Sequence, residues 1–172
     1  MANYLIVGLP GVGKSELAHE LMRRGYDALD ADLDAELSLH AHCETGLMKR
    51  ELSPAEAASG EFHWTWNGDR LTALLGSYAT GSQFVLGNAA NVKDYYHLFD
   101  KVFALVADNA TLTHRVVQRG SGYGITPAEL EKILGWNESF KEHEIERGAI
   151  IIEASPPVAE IADTVLEYTH AD

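Results

Sequence analysis

Hydrophobic positions along the chain come in two textures. Residues 4–7, 83–86, 101–106 and 149–152 are short, nearly continuous apolar runs, and residues 26–30 form a fifth, more mixed one. Between them apolar residues recur at every third or fourth position: Leu17, Ala18, Leu21 and Met22, then Leu71, Leu74 and Leu75, then Leu112, Val116 and Val117. The same spacing returns in Leu130, Ile133, Leu134 and Phe140 and in Val158, Ile161, Val165 and Leu166. A continuous short run suits a strand buried on both faces, and the wider period is that of an amphipathic helix. Gly25 closes a helix over residues 14–24, Gly81 and Ser82 end one begun near Asp69, and Asp108 with Asn109 caps another. Ser53-Pro54-Ala55-Glu56 and Thr126-Pro127-Ala128-Glu129 read as capping boxes with proline in the first turn. Residues 35–60 predict a small lobe of short helices. Strands alternating with helices imply an α/β fold of three layers, a five-stranded parallel sheet covered on both faces. No repeat or linker divides residues 1–172, which read as a single domain.

The turn after the first run adds chemistry to this fold. Gly8-Leu9-Pro10-Gly11-Val12-Gly13-Lys14-Ser15 joins a strand to a helix and has the spacing of a phosphate cradle. Its backbone amides can wrap a polyphosphate, Lys14 can reach the β- and γ-phosphates, and the Ser15 hydroxyl can ligate Mg²⁺. The helix that starts near Lys14 adds its positive N-terminal end. The expected cofactor-binding set is Gly8, Gly11, Val12, Gly13, Lys14, Ser15 and Glu16, with ATP and Mg²⁺ as its ligands.

Charge narrows the partners. A formal charge of −13, with 13 Lys and Arg forming no long basic run, argues against a nucleic-acid ligand. Cys43 is the single cysteine, so no internal disulfide forms. With no signal peptide or long apolar span in view, the expectation is a cytoplasmic protein without membrane contact, a monomer or small homo-oligomer.

Further candidates sit where strands end. Asp30, Asp32 and Asp34 follow the second run, and in an open parallel sheet the ligand crevice lies outside the carboxyl ends of the strands. Asp30 and Asp32 are expected to face the phosphate loop, and Asp34 to cap the next helix. Phe62-His63-Trp64-Thr65-Trp66 is either core or, with His63 and Trp64, an acceptor pocket wall. Gly87 and Asn88, with Asn91 beyond them, close the third run with small polar residues that a ligand can approach. Lys49 and Arg50 form a basic pair on a solvated helix face, or meet an anionic acceptor. Arg115 and Arg119 lie one helical turn apart before Gly120-Ser121-Gly122-Tyr123-Gly124, which reads as a lid over residues 119–127.

Taken together, these parts resemble the P-loop small-molecule kinases, the group of shikimate, gluconate and nucleoside monophosphate kinases. The matching features are residues 8–15, the Asp30 and Asp32 pair, Gly87, Arg115 and Arg119, and Pro156-Pro157 after the fifth run. The resemblance implies a sheet order of 2-3-1-4-5, an adenine pocket built by Arg115 and Pro156, and Arg119 acting on the phosphates. It also implies that Asp30 holds Mg²⁺ and that Asp32 meets the acceptor hydroxyl, so the catalytic set becomes Lys14, Asp32 and Arg119. The acceptor pocket becomes Asp32, His63, Trp64, Gly87 and Asn88, within a lobe over residues 35–80. In shikimate kinases an arginine follows Gly-Glu-Phe-like residues, whereas here Gly60-Glu61-Phe62 is followed by His63. That makes shikimate a poor fit and points to a nucleoside-like or other ring-bearing acceptor. The competing expectation is a nucleotide-binding regulatory module, a slow NTPase read by a protein partner, in which Asp108 would stand in for the missing carboxylate after residues 84–87.

Overall fold

The computed structural model describes residues 2–77 and 81–170. Along the chain come β1 (Ala2–Gly8), α1 (Lys14–Arg23), β2 (Asp27–Asp30), β3 (Ser38–His42), β4 (Met48–Lys49), α2 (Pro54–Ser59), β5 (Phe62–Trp66) and α3 (Gly68–Gly76). They are followed by β6 (Ser82–Leu86), β7 (Lys101–Val106), α4 (Asn109–Arg119), α5 (Pro127–Glu146), β8 (Ile150–Glu153) and α6 (Val158–His170). Short 3-10 turns occupy Ala31–Leu33 and Val92–Leu98.

β1 is the middle strand of a parallel sheet of order β2-β6-β1-β7-β8. Numbered among the parallel strands alone, this is the expected 2-3-1-4-5. In register, Leu5 stands between Val85 and Val102, and Ile6 between Leu86 and Phe103. Successive side chains leave a strand on opposite faces, and here both faces are covered. Tyr4, Ile6, Phe84, Phe103 and Leu105 pack against α1, α4, α5 and α6 through Leu17, Leu21, Val116, Ile133, Ile161 and Val165. Leu5, Val7, Val85 and Ala104 pack on the other side against Leu71, Leu75, Val92 and Trp66. Burial on both faces is why these strands carry no polar alternation.

The stretch over residues 35–60, expected to be a lobe of short helices, holds two strands and one short helix. β3 pairs antiparallel with β4 and β5 in the order β4-β3-β5, and α2 is its helical part. In β3 the polar Ser38, His40 and His42 alternate with Leu39 and Ala41, a period of two set by pairing with the aromatic β5 rather than by helix propensity. The capping box of Ser53 and Glu56 forms with Pro54 in the first turn, as does that of Thr126 and Glu129 with Pro127.

Asp34, expected to cap the next helix, starts no helix among the described residues and instead follows the Ala31–Leu33 turn. Its Oδ1 accepts from the Glu36 and Leu37 amides, each at 2.9 Å, in the turn before β3, and its Oδ2 accepts from Arg70 Nη2 at 2.8 Å. α3 stops at Gly76, and residues 78–80, which precede the expected stop at Gly81, lie outside the described residues. Among the described residues no helix is long and apolar enough to cross a membrane.

The small sheet is stitched to the loop after β6. Ala90 N donates to Trp64 O at 2.9 Å, and the Asn91 side chain accepts from Trp66 N and donates to Trp66 O, each at 2.9 Å.

Candidate active site

β1 delivers the chain to Gly8, and the loop over residues 8–15 turns through two left-handed glycines, Gly11 at φ +86° and Gly13 at φ +108°. Glycine reaches that region without a Cβ clash. At Gly11 a Cβ would also stand 2.6 Å from Val116 Cγ2, so the tight seating of the loop on α4 leaves no space for one. Val12 is buried beneath the loop, and its amide donates to Leu9 O at 3.2 Å. α1 begins at Lys14, so its unsatisfied N-terminal amides lie in the loop, and Ser15 and Glu16 are exposed in that first turn.

Lys14 is only 8% exposed, and its Nζ donates to Gly8 O at 2.8 Å and Leu9 O at 3.3 Å. Burial pushes the Lys14 ammonium below its ordinary value; Asp32 and Asp30 pull against that fall, and Arg119 adds to it. The field around Lys14 thus couples the loop, the acids after β2 and the end of α4.

Asp30 ends β2, is 7% exposed, and accepts from the Asp32 amide at 3.1 Å, which caps the Ala31–Leu33 turn. Asp32 extends from that turn and accepts at Oδ1 from Trp64 Nε1 at 3.2 Å. Burial raises the Asp32 carboxyl; Lys14, the Trp64 hydrogen bond and Arg50 oppose the rise, and Asp30 reinforces it.

Among the aromatics the structure separates what the sequence grouped. β5 is extended, so Phe62, Trp64 and Trp66 share a face and His63 lies on the other. Trp66 is core at 1% exposure, whereas Trp64 is half-buried against Asp32. His63 is exposed, with Nδ1 3.6 Å from Cys43 Sγ, and is not brought to the Asp32 and Trp64 pair. Gly87 closes β6 in close contact with the second tryptophan: a Cβ there would meet Trp66 Cζ2 at 2.7 Å and Ala31 Cβ at 2.8 Å. Asn88 follows, half-buried, at the same end of the sheet.

Arg115 ties the loop to the turn after β8, donating from Nη1 to Val12 O at 2.8 Å and from Nη2 to Ala154 O at 2.7 Å. Pro156 lies half-buried in that turn. Arg119 donates to Tyr123 O at 2.6 Å. Asp108, the carboxylate that a regulatory module would use, is committed as the cap of α4, accepting from Thr111 N at 2.7 Å.

The basic pair read as a solvated helix face lies on no helix: Lys49 ends β4, and Arg50 stands beside Asp32. Arg50 follows β4, donates to Asp32 O at 3.0 Å and Ser38 O at 2.7 Å, and lies over the Trp64 ring. Its place depends on the pairing of a two-residue strand, for which the sequence carries no periodic signal.

Among the described residues no three His, Cys, Asp or Glu side chains converge to hold a metal. The Ser15 hydroxyl and the Asp30 carboxylate are hard oxygen donors. They fit Mg²⁺, which takes one or two protein ligands and completes its shell from phosphate and water.

A loop of this spacing between the central strand and first helix of a 2-3-1-4-5 parallel sheet defines a P-loop nucleotide-binding fold. Residues 5–135 match the AAA domain family, and the chain belongs to that family. No curated protein matches the sequence. Among solved structures it is similar to a shikimate kinase from Acinetobacter baumannii in complex with shikimate (TM-score 0.65, 16% identity, covering 99% of this chain and 94% of that one). It is also similar to a deoxyadenosine kinase from M. mycoides with bound dATP (TM-score 0.56, 14% identity, 98% and 100% covered). A gluconokinase from Sinorhizobium meliloti 1021 aligns at TM-score 0.51 and 16% identity, with 99% and 98% covered. At these identities the likeness is one of fold, and the fold is that of the P-loop small-molecule kinases.

Proposed function

We propose that this protein is an ATP-dependent phosphotransferase that moves the γ-phosphoryl group onto a hydroxyl of a small-molecule acceptor. The observation that carries the reading is Asp32, a half-buried carboxylate just past the end of β2 whose Oδ1 is held by Trp64 Nε1 and whose charge acts on Lys14. The similar structures support it, since a shikimate kinase, a gluconokinase and a deoxyadenosine kinase share a reaction class across different acceptors.

On this reading Lys14 exchanges its bonds to Gly8 O and Leu9 O for phosphate oxygens. Asp32 accepts the proton of the acceptor hydroxyl as that oxygen bonds to the γ-phosphorus, and the bond from the γ-phosphorus to the bridging oxygen breaks with its electron pair leaving on ADP. Positioning and charge neutralisation supply most of the acceleration in such transfers. Mg²⁺, held by Ser15 and Asp30, supplies further neutralisation when bound. Arg115 and Pro156 border the adenine, and Arg119 reaches the phosphates once it releases Tyr123 O. The acceptor occupies the crevice bounded by Asp32, Trp64, Gly87 and Asn88. The absence of an arginine directly after Phe62 disfavours shikimate.

The test is acceptor-dependent ADP release with ATP, Mg²⁺ and a metabolite panel. At least one acceptor should stimulate release, and Lys14→Ala should abolish the stimulation. Wild-type hydrolysis that no acceptor stimulates would replace this reading with that of a slow NTPase whose bound state a protein partner reads.

A further inference from the structure

We infer that Arg50 and Trp64 are positioning residues that brace Asp32. The inference rests on Asp32 as the group that meets the acceptor hydroxyl. Arg50 emerges from β4 and spans from the small sheet to the turn after β2, with Nη1 on Ser38 O at 2.7 Å and Nη2 on Asp32 O at 3.0 Å. Its guanidinium lies over the Trp64 indole, with Cζ 5.3 Å from the ring centroid. The indole in turn donates from Nε1 to Asp32 Oδ1 at 3.2 Å.

These contacts close a circuit. Arg50 fixes the backbone of Asp32, its face fixes the indole, and the indole fixes one carboxylate oxygen, leaving Oδ2 for a hydroxyl proton. His40, paired across from Trp64 in β3, packs against the indole at 4.7 Å between ring centroids and 63° between planes, which limits rotation of the ring. An arginine suits the position because its planar fork reaches two separate carbonyls from two nitrogens while its flat face lies over the indole, whereas an ammonium gathers all its donors on one atom. The neighbouring cation, Lys49, is paired with Glu56 and takes no part. Both terminal nitrogens of Arg50 are engaged with main-chain oxygens, the arrangement of a strut rather than of a hand held out to an anionic substrate.

The experiment uses the full chain and reads the three tryptophan indole resonances, Trp64, Trp66 and Trp136, in ¹H–¹⁵N spectra. Trp64→Phe assigns the Trp64 peak, and Asp32→Ala marks its position once the hydrogen bond is lost. Arg50→Lys and Arg50→Ala should both move that peak at least halfway to the Asp32→Ala position. The Trp66 and Trp136 peaks should stay in place, and affinity for an ATP analogue should remain within about twofold. Should Arg50→Ala fail to fold, Arg50→Lys decides. In turnover with an acceptor from the panel, Arg50→Lys should lower kcat on the order of tenfold with both KM values nearly unchanged. Combining it with Trp64→Phe should cost little more than the worse single change, because the two act through one carboxylate. A Trp64 peak that stays in place overturns the inference. So does a raised acceptor KM with intact kcat, since Arg50 would then bind the acceptor. If wild type turns over no acceptor, the reading of function fails, while the spectra still decide whether the brace exists.

Discussion

At the scale of single residues, neighbouring acids after β2 have different work. Asp34 is a structural anchor, receiving two turn amides and the Arg70 guanidinium with its side chain only 10% exposed. Burial alone would raise its carboxyl, but the hydrogen bonds from Arg70 and from the Leu37 and Glu36 amides outweigh that, and the net shift is downward. A depressed carboxyl stabilises the fold above the unfolded value of about 4 and loses that contribution as pH falls through the folded value. Asp34→Asn should therefore cost about 1 kcal/mol at pH 7, and urea titrations should show the gap from wild type closing below about pH 4. The proposed function divides Asp30 and Asp32 by role instead: Asp32→Asn should abolish turnover with ATP binding nearly intact, and Asp30→Asn should mainly raise the Mg²⁺ concentration needed. Equal loss of ATP affinity in both variants would contradict that division. Lys14, Ser15 and these acids could be picked out in the sequence because a loop and a strand end fix them locally. His63 could not be placed, because its side depends on strand parity, and Arg50 could not, because its partners Ser38 and Asp32 are 12 and 18 residues away.

The elements carry a similar lesson. β1, β6 and β7 could be read directly from the sequence because burial on two faces favours apolar residues at successive positions. β3 and β4 could not, since a five-residue strand of Ser, Leu, His, Ala and His owes its conformation to β5. The turn between α4 and α5 lies between these cases. Its glycines do adopt left-handed backbone, yet Gly124 is packed so that a Cβ would stand 2.6 Å from Ile133 Cδ1, which pins the end of the segment. The stretch before it is held by Arg119, which donates to Tyr123 O, and by the Tyr123 ring, which stacks on Trp136, 6.0 Å between centroids and 11° between planes. Trp136 is 48% exposed, so its emission reports that stack. If Arg119 exchanges Tyr123 O for a phosphate, ATP should change Trp136 fluorescence in wild type. In Arg119→Ala the change should disappear, whereas a response that survives would place the signal elsewhere.

Across the whole molecule, the proposed function gives the two sides of the parallel sheet different work. On one side α1 and α6 close the core beneath the phosphate loop, and Arg24 joins them through Asp163 and Ala159 O. On the other, α3 and Trp66 of the small sheet close the core, and the same small sheet sets Trp64 against Asp32 with Arg50 over the indole. Asn91 is one of the groups that hold the small sheet at the carboxyl end of the parallel sheet. Its amide accepts from Trp66 N, donates to Trp66 O, and donates to Tyr95 Oη at 3.1 Å. Asn91→Ala removes these bonds and leaves part of the half-buried β5 backbone without a partner, at a cost of about 2–3 kcal/mol. Because Asn91 touches neither the phosphate loop nor the Asp32 carboxylate, the variant should keep ATP affinity while acceptor-dependent turnover falls as the wall carrying Trp64 loosens. Denaturant unfolding, ATP-analogue binding and turnover measured on the same preparation separate the alternatives. Proportional loss of ATP affinity and turnover would show instead that the small sheet and the phosphate loop act as a single rigid unit, and that the acceptor wall cannot be loosened alone.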